Sequence, residues 1–175
     1  MVDVSCFGYG HDAVRLFLVR HGHAGRKVQR RGRDKLRPLD GLGRRQAERL
    51  VGLIAPLEPT RIVSSPYRRC TETMGPLAAT VGLEVEKTPA LAPYSAFVTL
   101  SMIRELTSRG SPSGVVLCTH GEVIGTVMTE IAAEDGVELE RPPPGLKGSM
   151  WLIEMKEGRL VNARYLAPKD LSIIH

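Results

Sequence analysis

Apolar residues along this chain alternate between short dense runs and stretches with helical spacing. The run Arg15-Leu16-Phe17-Leu18-Val19 reads as a buried strand that ends in Arg20-His21-Gly22. A polar loop follows over residues 21–39, and Asp40 then stands where a helix cap belongs. Behind it Leu42, Ala47, Leu50, Val51 and Ile54 recur at helical spacing, until Pro56 and Pro59 end the helix. Arg61-Ile62-Val63-Ser64 is a short strand, and Ser65-Pro66 reads as cap and first position of a helix that stops at Gly82. Leu83 to Lys87 reads as another short strand. Ala96 to Ser108 reads as a helix with Phe97, Leu100, Ile103 and Leu106 inward. Val115-Val116-Leu117-Cys118-Thr119 is a second dense run, and it ends in His120-Gly121 with a helix from Glu122 to Ala133 behind it. Arg141 to Gly145 is a loop, and Met150–Met155 with Leu160–Tyr165 forms a closing hairpin around Glu157-Gly158.

Strands alternating with helices imply an α/β fold with a mostly parallel sheet. Two strands then deliver histidine-glycine at their carboxyl tips, where open α/β sheets gather ligands. Length bounds the rest: 175 residues make about one domain, expected over 14–168, with tails at 1–13 and 169–175. No apolar stretch approaches the roughly 20 residues of a membrane helix, and residues 1–12 do not read as a signal peptide. Cys6, Cys70 and Cys118 are odd in number and widely spaced, which suits free thiols in a cytoplasmic, reducing setting. The net charge of +5 fits a polyanion, and its position matters. Arg26, Lys27, Arg30, Arg31, Arg33, Lys35 and Arg37 crowd the loop behind His21. Arg26 and Lys27 are expected to touch substrate. The distal arginines fit a solvated loop equally well. Nucleic acid is not expected, since the chain is only 5% aromatic and the basic loop has no interleaved rings.

His21 is the candidate nucleophile, because a neutral imidazole can attack phosphorus and leave again. Arg20 can neutralise phosphoryl oxygens, and Gly22 lets the backbone turn closely around them. Arg69 sits near a helix start, where side chains lean toward the N-terminus and helix amides add to an anion site. Its guanidinium offers bidentate bonds to phosphate. His120, with Gly121 behind it, is expected to stabilise the transferring group.

In this order Arg20-His21-Gly22, Ser65-Pro66 with Arg69, and His120-Gly121 resemble the histidine phosphatase superfamily, over roughly residues 14–166. The resemblance implies a phosphoglycerate mutase-like fold: three layers, with a mostly parallel central sheet and helices on both faces. It also implies a phosphohistidine intermediate, with Arg20, His21, Arg69 and His120 as the catalytic pocket and no cofactor or metal. His21-Gly22-His23-Ala24-Gly25 and Arg37-Pro38-Leu39 look like the small SixA-type phosphohistidine phosphatases. Lys147-Gly148-Ser149-Met150-Trp151 and Gly158-Arg159-Leu160-Val161 look like the phosphatase-like domain fused behind Nudix domains in MutT-type proteins. No Nudix signature occurs in this sequence, and a Nudix hydrolase on a separate chain is a candidate partner. Substrate contacts are expected from Gly22, His23, Arg26, Lys27 and Gly121.

Many members of the family carry a glutamate general acid where this chain has Leu91-Ala92-Pro93-Tyr94. A general acid supplies about 10²–10⁴-fold in rate, which an alkoxide leaving group needs most. Its absence favours a phosphohistidine protein or a nucleoside di- or polyphosphate, unless Glu122 or Glu72 substitutes. Two rivals stay open, a mutase and a phosphate-binding module without turnover. His21-x-His23 lacks the companions of a metal site. No Cys-x5-Arg or phosphate-loop motif occurs.

Overall fold

The computed structural model describes residues 13–26, 34–108, 114–141 and 143–167. The expected tails lie outside these residues except for Ala13, as does Lys27. Six strands form one sheet in the order β3-β2-β4-β1-β5-β6. They are β1 (Val14–Arg20), β2 (Arg61–Ser64), β3 (Val85–Lys87), β4 (Val115–Thr119), β5 (Met150–Lys156) and β6 (Arg159–Leu166). The first four in that order are parallel, whereas β5 runs antiparallel to β1 and β6 antiparallel to β5. Among the described residues the α-helices that carry the layers are α1 (Gly41–Ile54), α2 (Arg68–Val81), α3 (Ala96–Leu106) and α4 (Gly121–Asp135).

The dense apolar runs are explained by layers on both faces. In β1, Leu16 and Leu18 pack with α3 and α4 residues such as Ile103, Val127 and Ile131. Phe17 and Val19 point the other way, against Leu50, Ile54, Met74 and Leu77 of α1 and α2. Alternation along β4 repeats this, with Val115 and Leu117 on one side and Val116 and Cys118 on the other. Helices therefore cover both faces of the mostly parallel sheet. Among the described residues no helix is long and apolar enough to cross a membrane.

Three local expectations differ. The helix after β2 begins at Arg68 rather than at Ser65-Pro66, with Tyr67 as its cap. The Ser65 hydroxyl is engaged with His120 Nε2 at 2.9 Å and is not used as a helix cap. Phe97 and Leu42 point outward at 71% and 44% exposure, because each lies in the first turn of its helix, off the covered stripe. Asp40 does cap α1, its Oδ1 accepting from Gly43 N at 3.0 Å.

Candidate active site

β1 and β4 lie side by side, with Arg20 opposite Thr119, and β2 flanks β4 with Ser64 opposite Cys118. Their three carboxyl tips therefore adjoin, and the chemistry-bearing residues leave the sheet together. The His21 amide donates to Thr119 O at 3.1 Å, which ties the two histidine-bearing tips. Gly22 N donates to Thr73 Oγ1 at 3.0 Å, and that hydroxyl donates to Arg69 O at 2.6 Å. Thr73 thus fixes the His21-Gly22 turn to α2.

His21 is 6% exposed. Its Nδ1 lies 2.8 Å from Gly22 O, an acceptor, so Nδ1 carries the proton. Nε2 is left with a lone pair, and Arg69 Nε donates to it at 3.1 Å. Arg69 Nη2 lies 3.2 Å from His120 Nδ1. A guanidinium only donates, so Nδ1 accepts and Nε2–H of His120 donates to Ser65 Oγ. The two rings stand edge to face, 5.3 Å apart between centroids. Tyr67 packs edge-on against His120 at 5.0 Å, with the Arg69 guanidinium 4.7 Å over its ring.

Arg20, at the tip of β1, places its guanidinium between Gly121 and Gly145. Its Nη1 donates to Gly145 O at 2.6 Å, while its buried Nε has no partner. A Cβ on Gly121 would stand 2.6 Å from the Arg20 Cζ, so the glycine makes room for the guanidinium. Burial, with the charges of Arg69, Arg20 and Arg37, lowers the His21 pKa to about 3, against the opposing pull of the Gly22 carbonyl. Burial, then His21 and the same arginines, lowers the His120 pKa to about 2. Both imidazoles are neutral at pH 7, the form a histidine nucleophile requires.

A carboxylate also reaches this cluster, from a position not anticipated in the sequence. Asp34 is buried, and its oxygens meet Arg37 Nε at 2.8 Å and Arg69 Nη1 at 3.2 Å. Arg37 Nη1 also donates to Ala24 O at 2.7 Å, clamping the end of the His21 loop. Asp34 and Arg37 gave no motif or periodic signal as a pair. The only clue was Arg37-Pro38-Leu39 in the SixA resemblance.

The remaining expected residues fall outside the imidazole cluster or at its edge. His23 Nδ1 bonds Asp40 Oδ2 at the start of α1, because the capping carboxylate is the nearest acceptor. That carboxylate is held well below its usual range, at about 2, by the Gly43 amide first and then His23. Arg26 is exposed. Glu72 is engaged with Leu39 N at 2.7 Å and Arg68 Nε at 2.6 Å. Glu122 is exposed in the first turn of α4, close enough to favour the charged form of Arg20.

With this geometry in place, comparison with known proteins is informative. Residues 16–95 match the model of the histidine phosphatase superfamily (branch 1). The chain is 35% identical over 161 residues to an 8-oxo-(d)GTP phosphatase of Mycolicibacterium smegmatis (strain ATCC 700084 / mc(2)155). That match covers 91% of this chain and 50% of the relative, so the chain spans about half the length of the curated protein. Among solved structures, the protein histidine phosphatase SixA complexed with tungstate superposes with a TM-score of 0.75 at 21% identity, covering 91% of this chain and all of that one. A mycobacterial glucosyl-3-phosphoglycerate phosphatase with VO3 gives a TM-score of 0.66 at 20% identity, covering 87% and 97% of the two chains. These structural likenesses show the fold.

Proposed function

Because the chain belongs to the histidine phosphatase superfamily, we propose that it is a phosphatase working through a phosphohistidine on His21. The observation that carries this reading is the state of His21. Its proton is fixed on Nδ1 by the Gly22 carbonyl, and its Nε2 lone pair faces Arg69 beside His120. A phosphoryl group entering there takes over the Arg69 donors and meets the guanidinium of Arg20. Nε2 then forms the bond to phosphorus as the bond to the leaving group breaks. The dianion favours protonation of His120, whose Nδ1 can then donate to a phosphoryl oxygen. Water attacks the phosphohistidine in line, the N–P bond breaks, and inorganic phosphate leaves with His21 restored. The fold supplies positioning and charge, which is most of what phosphoryl transfer asks of a protein.

Residues 91–94 bring no carboxylate, Glu72 is engaged with Leu39 and Arg68, Asp34 is engaged with Arg37 and Arg69, and Glu122 is exposed at the start of α4. Leaving groups that are weak bases therefore suit the site best. Both a phosphohistidine protein and a nucleoside di- or polyphosphate meet that condition. The names of the SixA structure and of the mycolicibacterial relative support these two classes respectively. The likeness to phosphatase-like domains fused behind Nudix domains points to a Nudix hydrolase as a partner, and co-purification with such a hydrolase tests it.

The experiment is phosphate release from an aryl phosphate, followed by a panel of phosphohistidine protein, nucleoside diphosphates and sugar phosphates. His21→Ala should abolish release, and EDTA should leave the wild-type rate unchanged. Turnover that persists in His21→Ala would reject the mechanism. Isomerised product in place of free phosphate would make the protein a mutase. Tight vanadate binding without turnover on any substrate would make it a phosphate-binding module.

A further inference from the structure

Lys147 lies on the loop between α4 and β5, and its backbone is tied to the nucleophile loop from two sides. Its carbonyl accepts from Gln46 Nε2 at 3.0 Å, while Gln46 Oε1 accepts from the His23 amide at 2.8 Å. The next amide, Gly148 N, donates to both Arg20 O and His21 O at 3.1 Å. Gly148 has φ of +74°, and a Cβ there would stand 2.7 Å from the Gln46 side chain. Only glycine lets the loop settle onto this bridge.

The Lys147 side chain is half-buried, and burial first, then the charges of Arg20, Arg37 and Arg69, lower its pKa. Asp40 opposes them, but that carboxylate is already bonded to His23. Among the described residues no carboxylate lies within ion-pair distance of Lys147. Arg37 and Arg69 share Asp34. A fourth cation beside three guanidiniums is electrostatically unfavourable until further negative charge arrives.

Topology says where that charge would lie. Ser65, Arg69 and His120 approach from the β2 and β4 side of β1, whereas Lys147 approaches from the β5 side. Its backbone therefore lies beside the tip of β1 on that side, offset from the strand by about one strand spacing, roughly 4.8 Å. In a phosphoanhydride, the second phosphorus can lie on that side. A simple monoester presents only carbon there. Lysine is a flexible point charge and suits a phosphate that must be held but not aligned for transfer.

We infer that Lys147 binds the phosphate that stays with the leaving group, so that the site prefers nucleoside di- or polyphosphates to phosphomonoesters. This rests on the phosphatase reading of His21. The test compares wild type, Lys147→Met, Lys147→Arg and, as a control, the exposed Lys156→Ala. Each is assayed on a nucleoside diphosphate and an aryl phosphate, and titrated with inorganic pyrophosphate and with inorganic phosphate by calorimetry. In Lys147→Met the kcat/KM ratio of diphosphate to aryl phosphate should fall about tenfold or more, and pyrophosphate affinity relative to phosphate should fall by a similar factor. Lys147→Arg should restore most of both, and Lys156→Ala should change neither. Unchanged ratios in a Lys147→Met protein of native circular dichroism overturn the inference and leave the phosphatase reading intact. No turnover by wild type on either substrate counts against the phosphatase reading, and the pyrophosphate titration then decides Lys147 alone. Should Lys147→Met not fold, Lys147→Gln carries the same comparison.

Discussion

At the scale of single residues, the site depends as much on missing side chains as on those present. The Arg20 guanidinium rests against the bare Cα of Gly121, where even a methyl group would come within 2.6 Å of its Cζ. That atom is the far end of a flexible chain, so Gly121→Ala can be accommodated by moving Arg20. The expected outcome is a melting temperature close to wild type with kcat/KM on aryl phosphate down about a hundredfold, the usual effect of ångström-scale misplacement. Steady-state kinetics beside a thermal melt checks it, and a normal rate would show that Arg20 need not hold this place. The histidines and arginines of the cluster could be read in the sequence because strand tips and a helix start deliver them. Asp34 and Lys147 could not. Asp34 is placed by its bond to Arg69, and Lys147 sits on a loop held by Gln46.

At the scale of elements, α1 shows how one cap serves two purposes. Asp40 accepts from Gly43 N and Gly25 N and also holds His23, so it starts the helix and anchors the loop behind the nucleophile. Asp40→Ala should cost about 1 kcal/mol of stability, as loss of a cap usually does. Asp40→Asn should cost less, because its side-chain oxygen still caps. Urea unfolding of the three proteins at pH 7 measures this, and equal midpoints would remove the capping role. The Asp40 carboxyl titrates at about 2 in the folded chain, below its usual value, so its contribution fades only as pH falls below about 4. Periodicity located α1 to within a residue, since the cap residue and the apolar stripe agree. It misplaced the start of α2, because Ser65-Pro66 has the composition of a cap while the Ser65 hydroxyl bonds His120. It also turned Phe97 inward, since spacing alone does not tell which first-turn residue meets the sheet.

At the scale of the whole molecule, burying two neutral histidines at the carboxyl end of the sheet links folding to pH. Their folded pKa values, about 3 for His21 and about 2 for His120, lie below the unfolded value of roughly 6.5. Between these limits the unfolded chain binds more protons, so stability rises with pH and is lost on acidification below about 6.5. The slope is up to about 1.4 kcal/mol per pH unit for each imidazole. Urea midpoints should therefore drop steeply from pH 7 to pH 4.5, and His120→Gln should flatten the drop. A midpoint constant across that range would mean the rings are not buried neutral. The layered architecture itself was legible, because runs such as Leu16 to Val19 are apolar on consecutive positions and only a sheet covered on both faces buries them all.

One contact constrains what this molecule can become. A Cβ on Gly43 would lie 2.0 Å from the His23 carbonyl oxygen, and one on Gly22 would lie 2.8 Å from the Gly43 oxygen. Two stretches of main chain cross there without a spacer, so the seat of the His21 loop is a fixed fitting with no side chain to adjust. Any redesign for a new substrate must leave that crossing untouched and work on the rim, where Lys147 is proposed to bind phosphate.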